Sequence, residues 1–393
     1  MSERVLVYDN DGDASRKYKE RMDGVKSIRG RYRVDVLPTS DFKKQLDGLR
    51  DRRKKLREGG RVSFEGLEVD DAAILVIDYD LFSALSNEDV PTGEEMCYLS
   101  RCFSNCGLLV ALNQFCKYEE NVFDLTLRGH LESFADLNVG GYQIGNGGLW
   151  GEKSEFRPWS WPDLIRVEQF FERRTRLMLD GMDKPIGEVL GMQDLVETLP
   201  VTLTKFLGTE GGKTSVRKFV SESGSGLKGK DKPPSDESLA RIAASRVSSW
   251  LEGLVLPGQD ILIDGPHLVS RFPSLLKGRL DDPDSWNQTT LLADYDEIGI
   301  DDDRIEAFEF ENDDLLSRPA WFWSPLSRSK EIPEVVRPWE RKPTEFVFAE
   351  DTSKFHKRGD CTEYEAGLDS PYDTRFVKVV RGVEYRPANM LLK

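Results

Sequence analysis

The fold turns on Ala72-Ala73-Ile74-Leu75-Val76-Ile77-Asp78-Tyr79-Asp80-Leu81. Six apolar residues in a row, rich in β-branched side chains and closed by two carboxylates, read as a strand buried on both faces, the signature of a parallel sheet. Such a strand delivers Asp78 and Asp80 to the carboxyl edge, where open α/β sheets keep their ligands. A second strand of the same kind stands at Val5-Leu6-Val7-Tyr8 and runs into Asp9-Asn10-Asp11. Two acid-tipped strands predict a pocket of hard oxygen donors suited to a divalent cation.

Working outward, Asp13-Ala14-Ser15 opens a helix, and Arg31 to Leu37 alternates Tyr32, Val34 and Val36 with polar residues, the period of a strand. Pro38-Thr39-Ser40-Asp41 starts a further helix whose charged run from Lys43 to Arg57 reads as a solvated face, with a basic contact patch as the minor reading. Thr92-Gly93-Glu94-Glu95 opens a helix to about Phe103, Gly107 to Leu112 is another apolar strand, and Gly140 to Ile144 is a weaker fifth. Strand and helix alternate throughout, which predicts an α/β fold with a doubly wound, parallel five-stranded sheet over residues 1–150.

These residues carry a resemblance. The segment from Arg4 to about Trp150 resembles a divergent receiver domain of the two-component response regulators, a flavodoxin-like fold. The resemblance implies that Asp9 and Asp11 bind Mg²⁺, that Asp78 accepts a phosphoryl group, and that the backbone of Asp80 completes the metal site. It implies a histidine kinase or other signalling protein as partner, and an output or self-association surface on the elements that follow. The pattern is atypical at three places: Asn10 occupies the family's second acidic position, Asn113 stands where a hydroxyl residue acts as the conformational switch, and Val139-Gly140-Gly141 contains no lysine. A degenerate receiver that serves only as a scaffold is therefore a second expectation. Bacterial stress or antiphage signalling is compatible with the resemblance.

The opening Asp9-Asn10-Asp11-Gly12 is also similar to the first motif of haloacid-dehalogenase-type phosphatases, with Asp9 as nucleophile and Asp11 as acid/base. Both resemblances share Mg²⁺ and an aspartyl phosphate.

The remaining chain is read more coarsely. Residues 151–220 form a mainly helical connector, with Pro162 at the start of a helix over Asp163 to Leu179. Residues 221–238 have the Gly, Ser and Pro content of a linker, followed by a helix from Asp236 to Leu254 within a small α+β module over 239–393. Gly208-Thr209-Glu210-Gly211-Gly212-Lys213-Thr214 is one residue too short for a phosphate-binding loop and follows no apolar strand. Asp260-Ile261-Leu262-Ile263-Asp264-Gly265-Pro266-His267 reads as a strand leading to a surface turn. Five cysteines, an odd number, predict reduced thiols, and Cys97, Cys102, Cys106 and Cys116 lack zinc spacing and read as apolar packing. A formal charge of −15 opposes general nucleic-acid binding. With no apolar run near the ~20 residues that span a bilayer and no secretory leader pattern, the expectation is a cytoplasmic protein without membrane contact.

Overall fold

The computed structural model describes residues 3–81, 92–112, 134–193, 206–207, 210–224, 235–290, 298–330, 344–365 and 374–381. The chain divides into two compact units, the first made of Met1–Glu152 with Leu164–Trp250, the second of Lys153–Asp163 with Leu251–Lys393.

The first unit is built on five strands: β1 (Glu3–Tyr8), β2 (Tyr32–Val36), β3 (Ile74–Asp78), β4 (Leu108–Leu112) and β5 (Leu137–Val139). They pair in the order β2-β1-β3-β4-β5. Every pairing is parallel, with Val5 opposite both Val34 and Ile74, and Ile74 opposite Leu108. This is the strand order of flavodoxin-like sheets. Every residue of β3 and β4 is buried, which is why both read as unbroken apolar runs. Among the described residues the connecting helices are α1 (Gly12–Asp23), α2 (Lys26–Arg31), α3 (Thr39–Arg57) and α4 (Gly93–Phe103). Tyr8 at the end of β1 stacks on Phe42 of α3, with ring centroids 3.8 Å apart and planes 3° from parallel, so the end of β1 is held by an aromatic pair.

The fifth strand lies three residues earlier than its sequence suggests. Asp136 donates its amide to the Leu109 carbonyl at 2.8 Å and Leu137 pairs with Val110, whereas 140–144 turn away and end in a short 3-10 helix over Gln143–Gly145. The glycine pair that looked like the start of a strand is its exit. Cys116 and most of the linker lie outside the described residues.

Beyond Leu164 the chain returns to the sheet. The expected single helix is two, Leu164–Gln169 and Phe171–Asp180, broken at Phe170. The first is tied to β2 by Glu168, which accepts from Arg31 at 2.7 Å and from the Tyr32 hydroxyl at 2.9 Å. The second packs against the helix Asp236–Trp250, whose continuation over Leu251–Val255 is a π-helical turn.

In the basic run of α3, Lys43, Lys44, Lys54, Lys55 and Arg57 are exposed, whereas Arg50 pairs with Glu95 at 2.7 Å, Arg53 lies over the Tyr98 ring and Arg52 is buried. That guanidinium is buried in a two-pronged pair with Asp70, both contacts 2.7 Å, and also donates to the carbonyls of Phe103 and Glu65. It fastens α3 to the approach of β3 and the end of α4.

In the second unit β6 (Leu262–Asp264) and β7 (Ala320–Phe322) pair antiparallel, and β8 (Phe346–Ala349), β9 (Lys354–Lys357), β10 (Thr362–Glu365) and β11 (Thr374–Val377) form a sheet in the order β10-β11-β8-β9. Among the described residues no helix is long and apolar enough to cross a membrane.

Candidate functional site

In a sheet ordered β2-β1-β3-β4-β5 the crossovers diverge between β1 and β3, and the crevice at that point is where such sheets take ligands. Asp9 follows β1 and Asp78 ends β3, so both carboxylates emerge there. Both are buried, Asp9 at 7 % exposure and Asp78 at 2 %. Burial pushes Asp78 up to about 8, with Asp9 and Asp80 adding negative charge and the amides of Tyr79 and Asp80 opposing them. Burial likewise raises Asp9, with Asp11 and Asp80 contributing and a hydrogen bond from the Asp11 amide, 2.7 Å, pulling the other way. Tyr18 of α1 sits in the same field, its phenol held up by burial and by Asp9 and Asp78 while Arg21 acts in reverse.

The flanking backbone is tightly set. Ser15 of α1 accepts the Asp9 amide at 2.9 Å, and Thr92 caps α4 by accepting from the Glu95 amide at 3.1 Å. Gly93, the first residue of α4, gives its amide to the Tyr79 carbonyl at 2.9 Å. A Cβ at Gly93 would lie 2.5 Å from the Asp78 carbonyl oxygen and 2.8 Å from the Tyr79 Cα, so the helix start can approach the Asp78-Tyr79 backbone only as glycine. Gly93→Ala is expected to lower the thermal midpoint, at a cost of ~1–3 kcal/mol from overpacking against fixed backbone; an unchanged midpoint in a thermal melt would refute that close approach.

No protein-family model, curated protein or solved structure matches this chain.

Asp9 and Asp80 both act to raise Asp78, and Asp11 and Asp80 to raise Asp9, but the Asp11 side chain is engaged elsewhere. Its exposed side chain caps α1, accepting from the Asp13 amide at 2.8 Å. Among the described residues no three His, Cys, Asp or Glu side chains are arranged to hold a metal ion. The donor chemistry of the buried pair nevertheless fits a hard cation, because Asp9 adds to the rise of Asp78 and a divalent ion would relieve that repulsion. Asn113 lies outside the described residues. After β5, where the receiver pattern expects a lysine, Arg21 of α1 donates to the Gly141 carbonyl at 3.0 Å and lies over the Tyr142 ring. Tyr18 and Arg21 belong to no motif in the sequence, and their one signal is a helical spacing of three in α1.

A second polar cluster lies in the second unit, where Asp264 and His267 are buried rather than on the expected surface turn. The His267 Nδ1 is 2.6 Å from Asp264 Oδ1, and Trp159 Nε1 donates to the other Asp264 oxygen at 2.6 Å. Arg375 Nη1 lies 2.6 Å from His267 Nε2 and donates to Glu350 at 2.9 Å. A guanidinium can only donate, so Nε2 is the acceptor and Nδ1 carries the proton given to Asp264. With both ring nitrogens engaged, this is a structural clasp joining the start of the 265–271 helix to β8 and β11. Buried thiols behave as read: Cys97, Cys102 and Cys106 are free and buried, and burial pushes Cys106 up to about 12.

Proposed function

We propose that the first unit is an atypical receiver-like signalling module, doubly wound, whose input site is the carboxyl edge between β1 and β3. The observation that carries this reading is the emergence of buried Asp9 and Asp78 together at the switch point of a parallel sheet in the order β2-β1-β3-β4-β5. In this reading Asp78 is the phosphoacceptor. A carboxylate oxygen of Asp78 forms the new P–O bond while the bond from phosphorus to the donor's leaving group breaks, and the leaving group departs with the electron pair. Mg²⁺, when bound, neutralises oxygens of the phosphoryl group and favours the ionised form of Asp78. Asp9 and Asp78 would hold it, with the Asp80 carbonyl as a further oxygen and Asp11 recruited only if it leaves its capping position.

Tyr18 and Arg21 are the side chains of α1 placed to feel a change of charge at this edge. Arg21 reaches Gly141 beyond β5, giving a physical route by which occupation of the site alters the surface after β5. A signalling kinase as donor, a partner protein or second copy as receiver of the signal, and a place in bacterial stress or antiphage signalling complete the proposal.

Incubating the full chain with Mg²⁺ and acetyl phosphate, then measuring intact mass, tests it. Wild type is expected to gain one phosphoryl group and Asp78→Asn none. If wild type gains nothing and Mg²⁺ does not shift its thermal midpoint, the reading is overturned. Continuous phosphate release that Asp9→Asn abolishes would replace it with the phosphatase.

A further inference from the structure

A pocket in the second unit is lined by Arg157, Trp159, Trp161, Thr289, Thr290 and Arg318, among others. We propose that this pocket binds a compact oxyanion, a phosphate or carboxylate group, held by Arg157 and Arg318.

Arg318 is buried and Arg157 half-buried at the wall of this pocket. Arg318 is 6 % exposed and lies over the Trp159 ring, 5.2 Å from its centroid. It gives one hydrogen bond to the Trp161 carbonyl at 3.0 Å, while its nearest carboxylates, Glu252 and Asp264, stand back at 3.7 and 3.8 Å. Its buried Nε has no hydrogen-bond partner among the described residues. The Arg157 side chain donates no hydrogen bond to any described residue. Burial pulls its guanidinium down to about 10, with Arg318 adding to the fall and Asp163 opposing it. Buried Arg318 and half-buried Arg157 act against each other, and an anion shared between them would relieve both. An oxyanion supplies acceptors to both forks at once, the geometry at which arginine excels.

The rest of the lining narrows the ligand. The hydroxyls that face the pocket have already spent their protons on backbone carbonyls: Thr289 on Trp286 at 2.7 Å, Thr290 on Asn287 at 2.8 Å, and Ser353 on Arg157 at 2.7 Å. Both oxygens of the Asp264 carboxylate are likewise engaged, by His267 and Trp159. The charged donors left for a ligand are the two arginines, so the group they take is an acceptor. The cavity volume is about 20 Å³, little more than the ~10–15 Å³ that admits one water. That room admits only the leading oxygens of an anion whose remainder stays at the mouth against the indole rings, and it excludes an enclosed nucleotide.

The test is a titration of the full-length protein with inorganic phosphate and, separately, with acetate, at constant ionic strength set by chloride. Tryptophan fluorescence and thermal midpoint are the readouts, since two indoles form the wall. A saturable response to either anion with a half-point near or below about 1 mM is expected, and the anion that gives it identifies the source. Arg157→Met should weaken that response at least tenfold, and Arg157→Lys, which keeps the charge without the fork, should weaken it less. Because the Arg157 side chain donates no hydrogen bond to any described residue, both variants should keep the wild-type midpoint or exceed it without ligand. Asp78→Asn should bind as wild type does, which separates this pocket from the edge of the N-terminal sheet. No saturable response to either anion, or equal binding by Arg157→Met, overturns the proposal.

Discussion

Asp78→Asn is expected to raise the thermal midpoint of the protein at pH 8 and to flatten the dependence of that midpoint on pH. In the folded chain burial and two neighbouring carboxylates hold Asp78 at about 8, against an ordinary unfolded value of ~3.9. Between those values the folded state keeps a proton that the unfolded state releases. Stability is therefore greatest below the unfolded value and falls as the pH climbs to about 8, beyond which this group takes nothing more. Asp78 is 2 % exposed, so solvent screens little of the effect. The loss approaches on the order of 5 kcal/mol as a ceiling, at ~1.4 kcal/mol for each unit of displacement. Asn keeps the shape and cannot ionise, so the variant escapes most of this loss. A residual slope of the same sign remains because Asp9 is raised as well. Melts of wild type and variant at pH 5, 6.5 and 8 decide the matter: parallel curves would mean that Asp78 is already ionised and compensated in the fold. Adding Mg²⁺ at pH 8 should lift the wild type more than the variant, since a ligand stabilises the state that binds it.

How much of this was visible in the sequence depends on how far apart the partners lie. β3 and β4 were legible because burial on both faces leaves no polar residue inside the strand, and Asp9 and Asp78 were legible because carboxylates ending such strands have few other uses. β5 was misplaced because three residues carry too little pattern, and Gly140-Gly141 draws the eye to its exit. The receiver resemblance counts Asp11 among the metal donors, whereas in this structure its side chain answers the local demand of an open helix terminus. The deeper misses are all long-range. Arg52 sits in a run of surface charges, and only the return of Asp70 and the Phe103 carbonyl makes it internal. Asp264 and His267 resemble a turn until Trp159, 105 residues before Asp264, and Arg375, 108 residues after His267, close over them. Periodicity reports which face of an element is buried, and it carries no information on which distant charge will meet it.

The same limit explains why the helical stretch after Leu164 reads as a separate connector, and it leads to the second large expected effect. Asp136, just before β5, accepts from the Leu109 amide of β4 at 2.8 Å and from Arg101 of α4 through one oxygen, and from the Ser245 hydroxyl of the 236–250 helix through the other. Arg174, which donates to Ser248 at 3.0 Å, lies 3.9 Å from that second oxygen. Arg101 and Arg174 are 2 % and 1 % exposed, so this one carboxylate compensates buried positive charge from two directions while joining the late helices to the sheet. Asp136→Ala removes the anion and leaves the cations inside, the arrangement that costs ~3–5 kcal/mol when a buried pair is broken from one side. Ser245→Ala removes one neutral donor and should cost about 1 kcal/mol. The two losses also differ in where they appear. If Asp136 anchors the late helices, hydrogen exchange in Asp236–Trp250 should accelerate strongly in Asp136→Ala, while β1 and β3 lose protection only in step with global stability. Equal costs for the two variants, or exchange in that helix that follows the rest of the sheet, would show that apolar packing against the 171–180 helix holds it and that the carboxylate is incidental.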